Sequence, residues 1–263
     1  MKAVASRDNA AFKAMARLAA SASERRKRGL TVLDGVHLLD AFLAARRPVD
    51  SLMVSRSALQ RPEVARLVDR VPDARVTLVA DALFEAITTV DSATGVLAAV
   101  PTPAGDAIPA DADLLLVLED IQDPGNVGTL LRSAAAAGAR HVALSPGCAF
   151  AWSLKTVRAG MGAHFALNIA EGVDLAGFLA TYRGTSIALA AGATRSIYEF
   201  DLRPPVAICV GNEGAGLSEG LLAAASARAR IPMPGGAESL NAAVAGSLCL
   251  FEALRQRAKG GLP

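Results

Sequence analysis

Residues 113–119, Asp-Leu-Leu-Leu-Val-Leu-Glu, form an apolar run without alternation, closed by a carboxylate and followed by Asp-Pro-Gly. A strand with one wet face alternates polar and apolar residues. A continuous run needs cover on both faces, which in practice means a parallel sheet flanked by helices. Val-Ala-Ile-Cys-Val-Gly at 206–211 has the same character. Around these two runs the C-terminal half alternates strand and helix. A helix is expected from Asn126 to Ala137, stopped by Gly138 as C-cap. Strands follow at 140–145, 165–169, 186–191 and 229–233, and helices at 153–161, 174–182, 217–226 and 239–258. The fold class is α/β.

The N-terminal half alternates as well. A helix is expected over 9–28, strands at 31–34, 51–55, 74–80 and 95–100, and helices over 35–46 and 58–69. Between the halves, residues 101–112 carry three prolines and one glycine, and read as a linker. The expected organisation is a small α/β domain at 1–100, a linker at 101–112 and a parallel-sheet domain at 113–263. With 263 residues and 4% aromatics, the core must be built from Ala, Leu and Val.

No apolar run reaches the roughly 18 residues that span a bilayer. Arg, Lys and Asp interrupt the first twenty residues, so no signal-peptide core is expected. Cys148, Cys209 and Cys249 form no Cys-x-x-Cys pair and have no histidine at ligand spacing. Neither a disulfide framework nor a structural metal is expected, and a reducing cytoplasm is the simplest compartment. The net charge of +2 says little, but its distribution says more. The first 28 residues hold eight cationic side chains against two carboxylates, which leaves the other 235 residues at −4. A basic arm on a mildly acidic body suits a polyanion. The competing reading is a helix packed through Phe12, Met15, Leu18 and Ala19, with its charges merely solvated.

Three loops after expected strands carry the chemistry. In Asp123-Pro124-Gly125-Asn126 a tight turn opens a helix, with Asn126 as its expected N-cap and Arg132 less than two turns further on. In Gly211-Asn212-Glu213-Gly214-Ala215-Gly216 three glycines surround one carboxylate, and Ser218 caps the next helix. This is neither a Walker loop nor a dinucleotide fingerprint, because no Gly-Lys-Ser/Thr follows and the glycine spacing differs. In Ile231-Pro232-Met233-Pro234-Gly235-Gly236 stiff and bent backbone precedes Ser239, Leu240 and Asn241. Apolar Ile231 and Met233 beside exposed amides suit an adenine ring.

Taken in order, DPGNVGTLLRSAAAAG, VGNEGAGLS and IPMPGGAESLNAAVA resemble the SpoU-type (TrmH-like) RNA 2′-O-ribose methyltransferases of the SPOUT superfamily. KTVRAGMGAHF at 155–165 is similar to that family's stretch between the first two motifs, and the N-terminal half, more weakly, to its substrate-binding domain. The resemblance implies a parallel sheet tied in a deep trefoil knot, a homodimer and S-adenosylmethionine as cofactor. It places Ala190, Ala191, Gly192, Gly211, Asn212, Gly216, Ile231, Met233, Ser239, Leu240 and Asn241 around the cofactor. Asn126, Arg132, Glu213, Ser239 and Asn241 fall on its catalytic positions. Arg25, Arg26, Lys27 and Arg28 of the arm, with Lys155 and Arg158, are the candidate RNA contacts. Ribosomal RNA is favoured over transfer RNA.

The implied reaction is attack of a ribose 2′-oxygen on the sulfonium methyl group, with no metal. Arginine is a poor base at neutral pH, so Arg132 is read as a phosphate clamp and stabiliser of the developing alkoxide. Asn126 would orient Arg132 or the ribose, and Glu213 would fix the arginine's fork or take the proton through water. His141 and His164 are alternative bases, and His37 is read as structural. Two other classes stay open: a non-catalytic RNA-binding relative, and a small-molecule enzyme using a nucleotide cofactor.

Overall fold

The computed structural model describes residues 1–88 and 94–258. In chain order the N-terminal stretch runs β1 (Lys2–Val4), α1 (Ala10–Ala20), α2 (Ala22–Arg28), β2 (Leu30–Asp34), α3 (Val36–Ala44) and β3 (Ser51–Ser55). It continues with α4 (Arg56–Leu59), α5 (Pro62–Val68), β4 (Val76–Val79), α6 (Asp81–Glu85) and β5 (Val96–Pro101). The C-terminal stretch runs β6 (Leu114–Leu118), α7 (Pro124–Ala136), β7 (His141–Leu144), α8 (Leu154–Gly160), β8 (Asn168–Ala170) and α9 (Leu175–Thr181). It closes with β9 (Thr185–Leu189), β10 (Val206–Val210), α10 (Glu219–Ala224), β11 (Ala227–Ala229) and α11 (Ala242–Arg257).

Two compact units emerge. The first joins Met1–Pro103 with Trp152–Phe165, and the second joins Ala104–Ala151 with the chain from Ala166 onward. This division differs from the expected one in two places. Residues 152–165, read as part of the C-terminal domain, belong to the first unit, because their bulky apolar groups pack there. Leu154 packs on the first core, Trp152 is buried, and the Phe165 ring meets Phe42 edge-on at 5.2 Å. Residues 104–112, read as linker, lie on the second unit. A Cβ on Gly105 would sit 2.1 Å from the Ile169 carbonyl oxygen, so only glycine allows that approach. The Asp106 N–H donates to Asn168 Oδ1, and Tyr182 donates its hydroxyl to the Ala112 carbonyl. The expected domain ran to residue 263; 259–263 lie outside the described residues.

The first unit holds a five-stranded sheet of order β1-β4-β3-β5-β2. β1, β4 and β3 are parallel, and β5 runs antiparallel to β3 and β2. Three-residue β1 is too short to leave a sequence pattern. The expected helix over 9–28 is two helices, since Ser21 ends α1 and its side chain caps α2 by accepting from the Glu24 N–H. The helix expected at 58–69 is likewise broken, because Pro62 can start α5 but cannot continue α4. Phe12, Met15 and Leu18 of α1 enter the core with Val32, Met53 and Leu97.

The second unit holds six strands in the order β11-β9-β10-β6-β7-β8, every pair parallel. β6 and β10, the two continuous apolar runs, lie side by side at the centre and are buried along their whole length. The strand expected at 229–233 ends at Ala229, ahead of Pro232. Cys148, Cys209 and Cys249 are free thiols, and burial pushes those of Cys209 and Cys249 up to about 12. No helix among the described residues is long and apolar enough to cross a membrane.

Candidate active site

The carboxyl ends of β6, β9 and β10 point the same way, so the loops that follow them gather at one end of the second unit. After β6 the chain turns at Asp120, whose positive φ of 54° is held by Ser145: the Asp120 N–H donates to Ser145 Oγ, and Ser145 donates to Asp120 Oδ1. Asp123 caps α7, accepting from the Asn126 N–H at 2.9 Å, and Pro124 fills the first helical position. Asn126 is therefore not the N-cap; it sits one turn inside the helix with its side chain released for another partner. That partner is Glu213. Asn126 Nδ2 donates to Glu213 Oε1 at 2.8 Å, and Asn241 Nδ2 donates to Asn126 Oδ1 at 3.0 Å. Asn241 Oδ1 meanwhile caps α11, accepting from the N–H groups of Ala243 and Val244. One line of side chains thus ties all three motif loops together.

Glu213 also accepts from the backbone N–H groups of Gln122 and Asp123 at 3.4 Å. Partial burial pushes its carboxyl up, but the hydrogen bonds from Asn126 and these backbone groups outweigh that and hold it below the ordinary carboxylate value. The expected grip of Glu213 on the arginine fork is absent from this arrangement. Arg132, on α7, is exposed and has no hydrogen-bond or ionic partner among the described residues. A free guanidinium on the helix that carries Asn126 suits an incoming phosphate or ribose oxygen.

The glycine loop is pinned by Asn212. Its Oδ1 accepts from the Gly214 and Ala215 N–H groups, and its Nδ2 donates to the Asp120 carbonyl. A Cβ on Gly211 would lie 2.3 Å from the Gly216 carbonyl carbon, so the loop can double back only on glycine. It encloses a hollow of about 450 Å³ bordered by Ala190, Ala191, Gly211, Asn212, Gly216, Ser239 and Leu240. A smaller hollow of about 140 Å³ shares Ala190, Ala191, Ser239 and Leu240 and adds Ile231, Met233 and Arg230. Backbone-rich walls on one side and apolar side chains on the other fit a nucleoside with an amino-acid tail. Of the residues expected around the cofactor, Gly192 and Asn241 border neither hollow; Asn241 is drawn instead toward Asn126.

Two features escaped sequence reasoning. Glu119 takes both the N–H and the hydroxyl of Ser218 at 2.7 Å, anchoring the exit of the glycine loop across 99 residues of sequence. Arg230 follows a strand directly, a position where the apolar reading of 229–233 hid it. Among the RNA candidates, Arg25 is corrected: it is 5% exposed, and its guanidinium donates to the Leu18 and Ala19 carbonyls. Arg26, Lys27, Arg28 and Lys155 are exposed, and Arg158 is half-buried. His164 is buried against Trp152 in the first unit, His141 pairs its ring with Asn168, and His37 is exposed on α3. Burial and the neighbouring Arg140 lower the His141 pKa. No group of three or more His, Cys, Asp or Glu among the described residues is placed to hold a metal.

A parallel sheet with motif loops tied at one end around a nucleoside-sized hollow defines the class of α/β nucleotide-binding proteins. Residues 113–251 match the model of the SpoU rRNA Methylase family, and the chain belongs to that family. It is 31% identical to an uncharacterized tRNA/rRNA methyltransferase of Synechocystis, over 91% of this chain and 89% of that one. It is 30% identical to a 23S rRNA (uridine(2479)-2′-O)-methyltransferase of Streptomyces viridochromogenes, over 96% of this chain and 92% of that one. Among solved structures, an AdoMet-bound rRNA methyltransferase from Sinorhizobium meliloti aligns with TM-score 0.85 at 30% identity, covering 98% of this chain and 99% of that one.

Proposed function

We propose that Arg132, Asn126, Glu213, Ser239 and Asn241 carry out methyl transfer to a ribose 2′-hydroxyl at the tied loops of the second unit. As a member of its family the chain is an S-adenosylmethionine-dependent RNA 2′-O-methyltransferase, and ribosomal RNA is its substrate. The observation that carries the residue assignment is the line Asn241–Asn126–Glu213 beside the hollow of Ala190, Gly211 and Leu240. When bound there, the cofactor supplies an electrophilic methyl group on a sulfonium. The protein's part is to place the 2′-oxygen in line with it and stabilise the charge that oxygen develops. Arg132 holds the substrate phosphate and the developing alkoxide. Glu213 keeps Asn126 in one orientation, so that the head of α7, and Arg132 on it, present a fixed face to the ribose. Ser239 and Leu240 border both hollows and would help to hold the cofactor there.

The threading of β9, β10 and α11 through a trefoil knot accords with the strand order β9-β10-β6 and with α11 packing on α7 and β10. Homodimer formation is supported by Val244, Leu248 and Phe251, which are 47%, 41% and 47% exposed along one face of α11. The first unit serves as the RNA-recognition domain, with Arg26, Lys27, Arg28 and Lys155 as surface cations. The protein acts in the cytoplasm, where its RNA is. Mapping ribose methylation across ribosomal and transfer RNA from cells with and without the gene tests the reading. One ribosomal 2′-O-methyl group should vanish with the gene; an unchanged ribosomal map would overturn it, and loss from transfer RNA would reassign the substrate.

A further inference from the structure

A second polar hollow lies wholly within the first unit. β2, β3 and β4 run one way and β5 the other, so the carboxyl ends of β3 and β4 meet the start of β5. Ligands of α/β sheets lodge beyond such carboxyl ends. There, Ser55, Ser57, Arg61, Asp81, Glu85 and Thr94 border a cavity of about 290 Å³. That is the small end of the range for ligand sites, with room for one base rather than a dinucleotide.

The polar groups around it are incompletely matched. Arg61 Nε and Thr94 Oγ1 are buried and have no hydrogen-bond partner among the described residues. Buried donors are normally satisfied, so an unpaired guanidinium N–H and a hydroxyl mark where an acceptor belongs. Asp81 is held rigidly, its Oδ1 accepting from the Ser57 N–H at 3.1 Å and the Ser57 hydroxyl at 2.7 Å. Ser55 adds a further side-chain hydrogen bond to the Asp81 carboxylate, and Glu85 lies one helical turn further along α6. The lining carries two carboxylates, Asp81 and Glu85, against one guanidinium, Arg61, whose Nη1 already lies 3.9 Å from Glu63, and this balance disfavours a phosphate or any other anion.

The group that fits is neutral and planar, with one acceptor beside adjacent donors. Guanine has that edge: O6 accepts while N1–H and the N2 amino group donate. Uracil and cytosine each carry two acceptors there, and adenine one donor and one acceptor. We infer that this hollow takes a single unpaired guanine of the RNA, splayed out and read on its Watson–Crick edge. O6 is read from Arg61 and Thr94, and the donors from Asp81 and Glu85. The inference rests on the reading that RNA is the substrate, and it adds a base-specific recognition point to it.

Fluorescence anisotropy of the full chain, at one fixed salt concentration, tests it. The probes are labelled decauridines with a central guanine, inosine or adenine, with guanosine 5′-monophosphate as competitor. The guanine oligomer should bind roughly tenfold tighter than the adenine one, with inosine between them because it lacks the N2 amino group. Glu85→Ala and Arg61→Lys should each bring that ratio within about twofold, with S-adenosylmethionine affinity unchanged. Thr94→Val supplies a third variant should either of these fail to fold. Equal affinity for the guanine and adenine oligomers, or a preference that survives the substitutions, overturns the site. Mononucleotide binding as tight as the oligomer's also overturns it, as the mark of a free-nucleotide site. Ribosomal methylation without guanine preference sinks this inference alone. Guanine preference in a chain that methylates no ribosomal RNA sinks the functional reading alone.

Discussion

The sheet of the second unit is parallel throughout, whereas that of the first reverses at β5, and the two build their hollows differently. In the parallel sheet each strand sends its following loop to the same end. Side chains can then bridge loops far apart in the chain: Asn126 to Glu213 spans 87 residues, and Asn241 to Asn126 spans 115. In the mixed sheet the start of β5 takes one of those places. The tie across that hollow, Ser57 to Asp81, spans 24 residues. Fixed geometry among distant motifs suits bond-making, where a small misplacement is costly. A locally built hollow with unpaired donors suits recognition.

The contrast breaks most sharply at Arg132. Arg132→Ala should lower methyl transfer at least about 10²–10³-fold, with S-adenosylmethionine affinity within about twofold. Arg132→Lys should fail too, because a point charge does not replace a planar fork. Single-turnover methylation beside calorimetric cofactor titration checks both, and activity within about tenfold of the parent would remove Arg132 from the chemistry.

Glu213→Gln should cost less, roughly 10–100-fold in kcat, by removing the charge that strengthens the inter-loop hydrogen bonds while leaving the arginine in place. It also has a pH signature. Because the folded carboxyl is held below its ordinary value, its contribution to stability is present above that value and is lost as pH falls through the lowered one. Urea unfolding at stepped pH should show a constant gap between parent and variant near neutrality that closes in acid. A gap that widens in acid contradicts the assignment.

Val244→Glu with Leu248→Glu should convert a sedimenting dimer to monomer with little change in melting temperature, since both side chains are exposed. A parent already monomeric at micromolar concentration would leave that face without a partner.

The smallest effect belongs to the arm. Replacing Arg26, Lys27 and Arg28 by Gln should lower the log–log salt slope of RNA binding by roughly 2–3. Arg25→Gln should leave the slope alone and lower the melting temperature, because its guanidinium holds two buried carbonyls. Deleting the first 28 residues should also destabilise the fold, because Phe12, Met15 and Leu18 leave the core.

Where burial or capping acts through neighbouring residues alone, particular elements show it. β6 and β10 emerge within a residue of their apolar runs, because burial on both faces writes itself directly as hydrophobicity. Ser218 and Asn241 cap α10 and α11 as their residue types and positions imply. The breaks at Ser21 and Pro62 carried local signals that a longer apolar period masked. Nothing local, by contrast, says which core receives Trp152, Leu154 and Phe165, since an apolar side chain packs against any apolar wall. Capping rules do favour Asp123, directly before Pro124, as the N-cap, but they do not reveal that the side chain of Asn126 reaches Glu213. The amino-acid sequence by itself determined the strand–loop–helix units and the polar residues each loop offers. Only the tertiary structure decided which of those residues meet, because a hydrogen bond between loops is set by how strands are ordered in the sheet, and that order leaves no trace in any one stretch of chain.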